Sequence, residues 1–229
     1  MREIVLDTET TGLDPLQGHR LIEIGCIELV NRFPSGQHFH RYLNPERAVP
    51  QEAFAIHGLS DEFLKDKPRF ADIVDELIAF IGAAPLVAHN ALFDLSFLNA
   101  EFERCAREAV ARDRVVDTLM LARRRHPAGP NRLDDLCARY GIDNSRRSKH
   151  GALLDAEILA EVYLELIGGR QAQLGLAESV AGRAKGSDGI VARRERNVPL
   201  TPRLSEAERT AHREFVASLG ETAVWRNYL

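Results

Sequence analysis

Excess positive charge is absent from this chain: 30 Lys and Arg stand against 34 Asp and Glu across 229 residues, a formal net charge of −4. That argues against a protein that grips nucleic acid unaided through a basic surface. Cysteine is scarce. Cys26, Cys105 and Cys137 lie far apart in apolar segments, so neither a disulfide framework nor a thiolate metal site is expected, and they read as reduced core residues of a cytoplasmic protein. No apolar run approaches the roughly 20 residues that span a bilayer, and Met1-Arg2-Glu3-Ile4 has no signal-peptide character. There is one tryptophan and no internal repeat. What remains, at 45% hydrophobic and 28% charged residues, fits a globular domain large enough for one substantial core plus an appendage.

Within that ordinary composition, acidic residues recur in telling places. Asp7-Thr8-Glu9-Thr10-Thr11-Gly12 follows the apolar run Ile4-Val5-Leu6. On a strand, Asp7 and Glu9 share one face, and two close carboxylates need a counter-charge that a hard divalent cation supplies well. Alone, Asp-x-Glu equally describes a strand running into a solvated turn. A second acid follows a short apolar strand in Leu86-Val87-Ala88-His89-Asn90-Ala91-Leu92-Phe93-Asp94, in the first turn of a helix. A third, Asp155, lies one turn into a long amphipathic helix, with His150 five residues earlier on the preceding loop.

Asp7-x-Glu9, Asp94 within His-Asn-Ala-x-Phe-Asp, and His150-x4-Asp155 resemble, in order and spacing, the three motifs of the DEDDh family of 3′→5′ exonucleases. Ala55-Ile56-His57-Gly58-Leu59, Leu136-Cys137-Ala138-Arg139-Tyr140 and Gly151-Ala152-Leu153-Leu154-Asp155-Ala156 narrow the resemblance to the proofreading subunits of bacterial replicative DNA polymerase III, strongly over residues 3–176. The resemblance implies a ribonuclease H-like fold and removal of mispaired 3′-terminal nucleotides from a single-stranded primer end. It implies two Mg²⁺ or Mn²⁺ ions, one held by Asp7, Glu9 and Asp155 and the other by Asp7 with Asp94. Oxygen-only ligation favours those ions over zinc. His150 matches the general base, a task suited to an imidazole whose unperturbed pKa is about 6.5. Substrate contacts are expected from Asp7, Thr8, Glu9, Glu52, His57 and Asp155, with further ones from Thr10 and Gly12. His89 and Asn90 are expected to brace Asp94, and Arg123-Arg124-Arg125 to form a solvated helix face.

Periodicity predicts strands at 3–7, 21–29, 37–43, 86–88 and 115–117, a hairpin turn at 31–36, and helices at 71–81, 91–108, 118–125 and 133–140 before the Asp155 helix. Antiparallel strands followed by alternating strands and helices imply an α/β class, a mixed sheet flanked by helices, in an exonuclease domain of residues 1–170.

Beyond Gly168-Gly169 the composition shifts. Gln171-Ala172-Gln173-Leu174-Gly175-Leu176 is similar to peptides that insert into the bacterial sliding clamp, with Gln171, Leu174 and Leu176 as anchors. Residues 177–204 carry six Lys and Arg against three Asp and Glu among scattered Gly and Pro, the composition of a flexible linker. Ser205-Glu206-Ala207-Glu208 opens a short helix with a capping box, and residues 205–229 are expected to dock onto the polymerase alpha subunit through Phe215, Leu219 and Trp225. The resemblance leaves a small theta subunit as a further possible partner. Two other readings share these motifs: a stand-alone RNA-trimming exoribonuclease, against which the long tether argues, and a non-catalytic replisome bridge, against which the complete acid set argues.

Overall fold

The computed structural model describes residues 1–147, 149–168, 205–220 and 225. The chain divides into two units, residues 1–174 and 175–229. In the first, five strands run in the order β3-β2-β1-β4-β5: β1 (Arg2–Thr10), β2 (Leu21–Val30), β3 (Phe33–Tyr42), β4 (Leu86–Ala88) and β5 (Val115–Asp117). β1 pairs antiparallel with β2 and parallel with β4, so it is the central strand where the two modes meet. Its alternation sorts the core. Ile4 and Leu6 pack with Leu86 and Ala88 beneath α3 (Phe70–Ile81) and α4 (Ala91–Arg104). Val5 and Val87 face the other way, onto Leu159, Ala160 and Tyr163 of α7 (Ala152–Leu166). A central strand covered on both sides explains the continuous apolar run before the acids.

Several boundaries differ from the sequence expectation, each for a local reason. β1 runs on to Thr10, so Asp7 and Glu9 lie within the paired strand, opposite Gly25 and Glu23. The hairpin turn is only Asn31-Arg32, both at positive φ (52° and 70°), a two-residue connection that returns Phe33–Gly36 to the ladder. Pro34 is tolerated because β3 is an edge strand. Instead of reaching residue 108, α4 stops at Arg104: Ala106 turns left-handed, and the Asn99 side chain bonds both N–H and C=O of Val110 (2.8 and 3.1 Å), folding the chain back. Gln51–His57, where periodicity predicts no element, is helix α1, closed by left-handed Gly58; α2 is the single turn Asp61–Leu64. The helices at 118–125 and 133–140 form as expected, as α5 (Thr118–Arg125) and α6 (Leu133–Tyr140). Within the arginine run Arg125 is not merely solvated: its Nη1 donates to Glu165 and Leu166 carbonyls at 2.8 Å, capping α7.

In the second unit α8 (Glu206–Ser218) begins at the expected capping box: Ser205 N–H donates to Glu208 Oε2 at 2.8 Å and Glu208 N–H to Ser205 Oγ at 3.3 Å. Phe215, Leu219 and Trp225 are exposed, while Val216 is the buried residue of this helix. Gln171, Leu174 and Leu176, and the linker 177–204, lie outside the described residues. Among the described residues, no helix is long and apolar enough to cross a membrane.

A buried ion pair ties the sheet to α4. Arg20 donates through Nε and Nη2 to both oxygens of Glu101 (2.6 and 2.9 Å), and Glu101 is 1% exposed. Arg20→Ala removes both bonds and leaves the carboxylate to Arg104 Nη1 at 3.2 Å, a change expected to cost about 1.5–3 kcal/mol, the scale of a charged hydrogen bond. Urea unfolding of the variant should show that loss, whereas a decrease below ~1 kcal/mol, the scale of a surface pair, would mean Glu101 is solvated.

Candidate active site

Strand alternation builds the site. Asp7 and Glu9 continue the face of Val5, towards α7, while Thr8 turns to the α4 side and its hydroxyl donates to Asp94 Oδ1 at 2.7 Å. α7 delivers Asp155 from one turn inside its N-terminus. Its approach depends on Gly25, directly opposite Asp7 in the ladder: a Cβ there would overlap the backbone of Ala152 and Leu153. No periodicity marked this glycine, because its role appears only once β2 and α7 are in contact. The result is four carboxylates in one place, with Glu9, Asp94 and Asp155 buried.

Crowding and burial show in their protonation. Burial first, then the charges of Asp94, Glu9 and Asp155, hold Asp7 well above the usual carboxylate range. Glu9 is pushed up to about 8 by burial, then by Asp155 and by Glu23, its ladder partner. Glu23 is an acid that sequence reading passed over; it is 2% exposed and meets His40 Nε2 at 2.7 Å. Burial raises Asp94 to about 7 even though Thr8 favours its ionised form. Such a cluster accommodates a positive guest. Acceptor atoms of Glu9, Asp155 and His150 all lie within 4.8 Å of one another, and the four acids present oxygen donors, the chemistry of Mg²⁺ or Mn²⁺ sites. His150 thus stands within reach of the ligand set, half exposed on its loop.

That loop carries the other residue missed from sequence. Arg147 enters the cluster with its side chain 8% exposed, Nε 2.6 Å from Asp155 Oδ1 and Nη2 2.7 Å from Oδ2. The same Nη2 is 2.6 Å from His150 Nδ1, and Nη1 donates to Asp134 Oδ1 at 2.6 Å. Burial opposes its charge, but Asp155 and Asp134 outweigh that and hold the guanidinium above its ordinary range. The signal was available as Arg146-Arg147 between two motifs, yet a basic pair on a loop has no period to single it out.

Two clefts meet at the acids. One, about 520 Å³, is lined by Thr8, Glu9, Thr10, Gly12, Glu52 and His57 among others, whereas Asp7 and Asp155, also expected to touch substrate, line the second. His57 is buried; its Nδ1 accepts from Leu59 N–H at 2.9 Å, which leaves the proton on Nε2, and that atom has no partner among the described residues. Glu52 is exposed on α1. The other cleft, about 760 Å³, is bordered by Asp7, Asp155, His150, Arg123, Arg132 and Arg147. His89 and Asn90 do not brace Asp94. His89 Nδ1 meets Thr118 Oγ1 at 2.9 Å and Asn90 N–H donates to Asp117 Oδ1 at 3.2 Å, fixing the β4–α4 corner against β5. Thr8 performs the bracing instead. α1 is tied to the His150 loop by Lys149 over the Phe54 ring (5.1 Å) and by His150 N–H to Ile56 O (3.4 Å).

This sheet order and acid cluster define a nuclease of the ribonuclease H-like class. Solved relatives share the fold: exonuclease X bound to 5′-overhanging duplex DNA (TM-score 0.56, 23% identity, 73% of this chain and 92% of that one), and the nuclease domain of 3′hExo, a DEDDh family member, bound to rAMP (0.63, 16%, 74% and 92%). The exonuclease family model matches residues 4–163. Curated relatives of nearly the same length are DNA polymerase III subunits epsilon: from Rickettsia felis (45% identity, 97% of this chain and 99% of the relative), Salmonella typhimurium (46%, 98% and 97%) and Escherichia coli (44%, 98% and 97%). The chain belongs to that epsilon family of exonucleases.

Protonation gives a test of the cluster itself. Folded-state values raised above the unfolded ones, 3.8 for Asp and 4.5 for Glu, contribute stability that is full below pH 4 and lost as pH rises through about 7 and 8. The midpoint of thermal unfolding of the metal-free protein should fall between pH 5 and 8.5, and saturating Mg²⁺ should remove most of that slope. A metal-free protein whose stability rises over this interval would show that the acids are not mutually destabilising.

Proposed function

We propose that the protein is the proofreading exonuclease of a replicative DNA polymerase, hydrolysing mispaired 3′-terminal nucleotides one at a time. The observation that carries this reading is the convergence of Asp7, Glu9, Asp94 and Asp155 with His150 at the junction of two clefts, in a chain matched over almost its whole length by epsilon subunits. The named partners follow from that family alone: DNA as substrate, the alpha subunit, the sliding clamp through Gln171, Leu174 and Leu176, and possible contact with a theta subunit. A role beside chromosomal DNA makes the protein cytoplasmic.

Asp7, Glu9 and Asp155 would hold one Mg²⁺ or Mn²⁺ and Asp7 with Asp94 the second. When bound, such ions neutralise charge on the scissile phosphate and lower the pKa of water. The chain's own residues do the rest. Thr8 fixes Asp94 by its hydroxyl. His57, whose Nε2–H is buried and unpartnered among the described residues, lines the space for the terminal nucleotide together with residues 8–12 and Glu52. His150, tethered to α1 through Ile56, accepts the proton of the attacking water. Preference for mismatches comes from fraying, since an unpaired end costs less to bring into a single-strand cleft.

On single-stranded DNA with Mg²⁺, Asp7→Ala and Asp155→Ala should abolish hydrolysis while circular dichroism stays unchanged. His150→Ala should lower the rate by about 10²–10⁴, the usual share of general-base catalysis. Near wild-type digestion by either Asp variant overturns the metal assignment, and a full-rate His150→Ala enzyme removes that base.

Phe215, Leu219 and Trp225 present exposed apolar surface on the second unit, which supports residues 205–229 as the alpha-subunit docking segment. Ending the chain after residue 169 should preserve hydrolysis of free oligonucleotides but abolish co-elution with the alpha subunit in gel filtration; undiminished co-elution places docking in the first unit. Within the full chain, Trp225→Ala should weaken alpha binding by about 2 kcal/mol or more.

A further inference from the structure

We propose that Arg147 is a built-in counter-cation of the acid cluster, which occupies Asp155 and His150 until a divalent ion displaces it. The inference rests on the metal-dependent reading above and assigns to this guanidinium a positioning role that the three acid motifs do not contain.

Each of its contacts is one the hydrolytic site must recover. Nη2 donates to Asp155 Oδ2 at 2.7 Å, and Nε lies 2.6 Å from Oδ1 without hydrogen-bonding alignment. The guanidinium thus bonds one oxygen and places its charge across the approach to the other. The ion expected between Glu9 and Asp155 needs that same approach, and two cations cannot share so small a volume without strong repulsion. His150 is affected too. A guanidinium only donates, so Nδ1, 2.6 Å from Nη2, is the accepting nitrogen and a neutral ring carries its proton on Nε2. The one lone pair that the ring can offer to water is therefore spent on Arg147. Withdrawal of a single side chain frees a metal ligand and the base together.

The guanidinium is also held from α6. Nη1 donates to Asp134 Oδ1 at 2.6 Å, and Asp134 is 61% exposed at the start of α6, outside the acid cluster. Asn144 Nδ2 donates to the same Oδ1 at 3.0 Å, tying the loop to α6. Both Asp134 and Arg147 border the larger cleft, and the Asp134 contact is part of what holds the guanidinium against Asp155. Without an ion, Arg147 supplies the charge that keeps four carboxylates tolerable; with one, it gives way.

Competition and support predict opposite signs, which makes the test decisive. Mn²⁺ binding to the full chain, read as loss of the free-ion signal in electron paramagnetic resonance, is compared for wild type, Arg147→Gln and Asp134→Asn. Arg147→Gln should bind Mn²⁺ about tenfold or more tightly, as expected when a buried competing charge is removed, and should unfold at lower temperature without metal. Asp134→Asn, which loosens the anchor without touching any acid of the cluster, should shift affinity in the same direction by a smaller factor. It keeps the question answerable if Arg147→Gln does not fold. Unchanged or weaker Mn²⁺ binding in the variants, with wild type binding normally, overturns the counter-cation role alone. A wild-type chain that binds no Mn²⁺ overturns the metal-dependent reading and this inference with it.

Discussion

The constraint on which the rest of the structure depends is the mutual repulsion of Asp7, Glu9, Asp94 and Asp155. Like charges held in a desolvated space cost folding energy unless something positive joins them or protons neutralise them. The chain accepts that cost at the C-terminal end of its central strand. Part of it is met by protons, since burial above all raises Glu9 to about 8 and Asp94 to about 7, and part by Arg147 from a loop. A site so poised suits divalent cations, which would relieve a strain already present.

The fold holds the acids together by means that involve no charge. Period-two alternation sends Asp7 and Glu9 to the α7 face and Thr8 to the α4 face, so one strand serves both neighbouring acids. Gly25 lets the first turn of α7 lie against β2, and the Asp155 carboxylate arrives with it. Arg20 and Glu101 lock α4 to β2, and Arg125 closes the far end of α7. Apolar packing of Val5 and Val87 on Leu159 and of Leu86 on the α3–α4 side fixes the sheet between these helices. On the proposed reading, a net charge of −4 is intelligible, because bound ions and a partner polymerase would supply the grip on DNA that composition withholds.

Much of this was legible in the sequence because it has a period or a motif. The apolar runs at Ile4–Leu6 and Leu86–Ala88, the α7 face through Leu159 and Tyr163, and the Ser205–Glu208 cap are local patterns, and they fold as their spacing requires. The acids were legible for a different reason: Asp7, Glu9, Asp94 and Asp155 are distant in sequence and were joined only through resemblance to a family. What stayed hidden was tertiary. Arg147 lies on an aperiodic loop, Gly25 sits mid-strand with no side chain to notice, and Glu23 matters only because the ladder places it opposite Glu9. The bracing of Asp94 was assigned to its sequence neighbours His89 and Asn90, whereas it comes from Thr8, 86 positions away. Helix α1 escapes periodicity because it has only seven residues, although Pro50 before it and Gly58 after it mark both ends.

The most direct test of the central claim, that these four carboxylates are gathered to hold divalent ions, is anomalous scattering from crystals soaked in Mn²⁺. The account predicts two anomalous peaks among Asp7, Glu9, Asp94 and Asp155, with the Arg147 guanidinium withdrawn from Asp155. Well-ordered crystals at saturating Mn²⁺ with no peak in that cluster, and Arg147 still paired to Asp155, would contradict it.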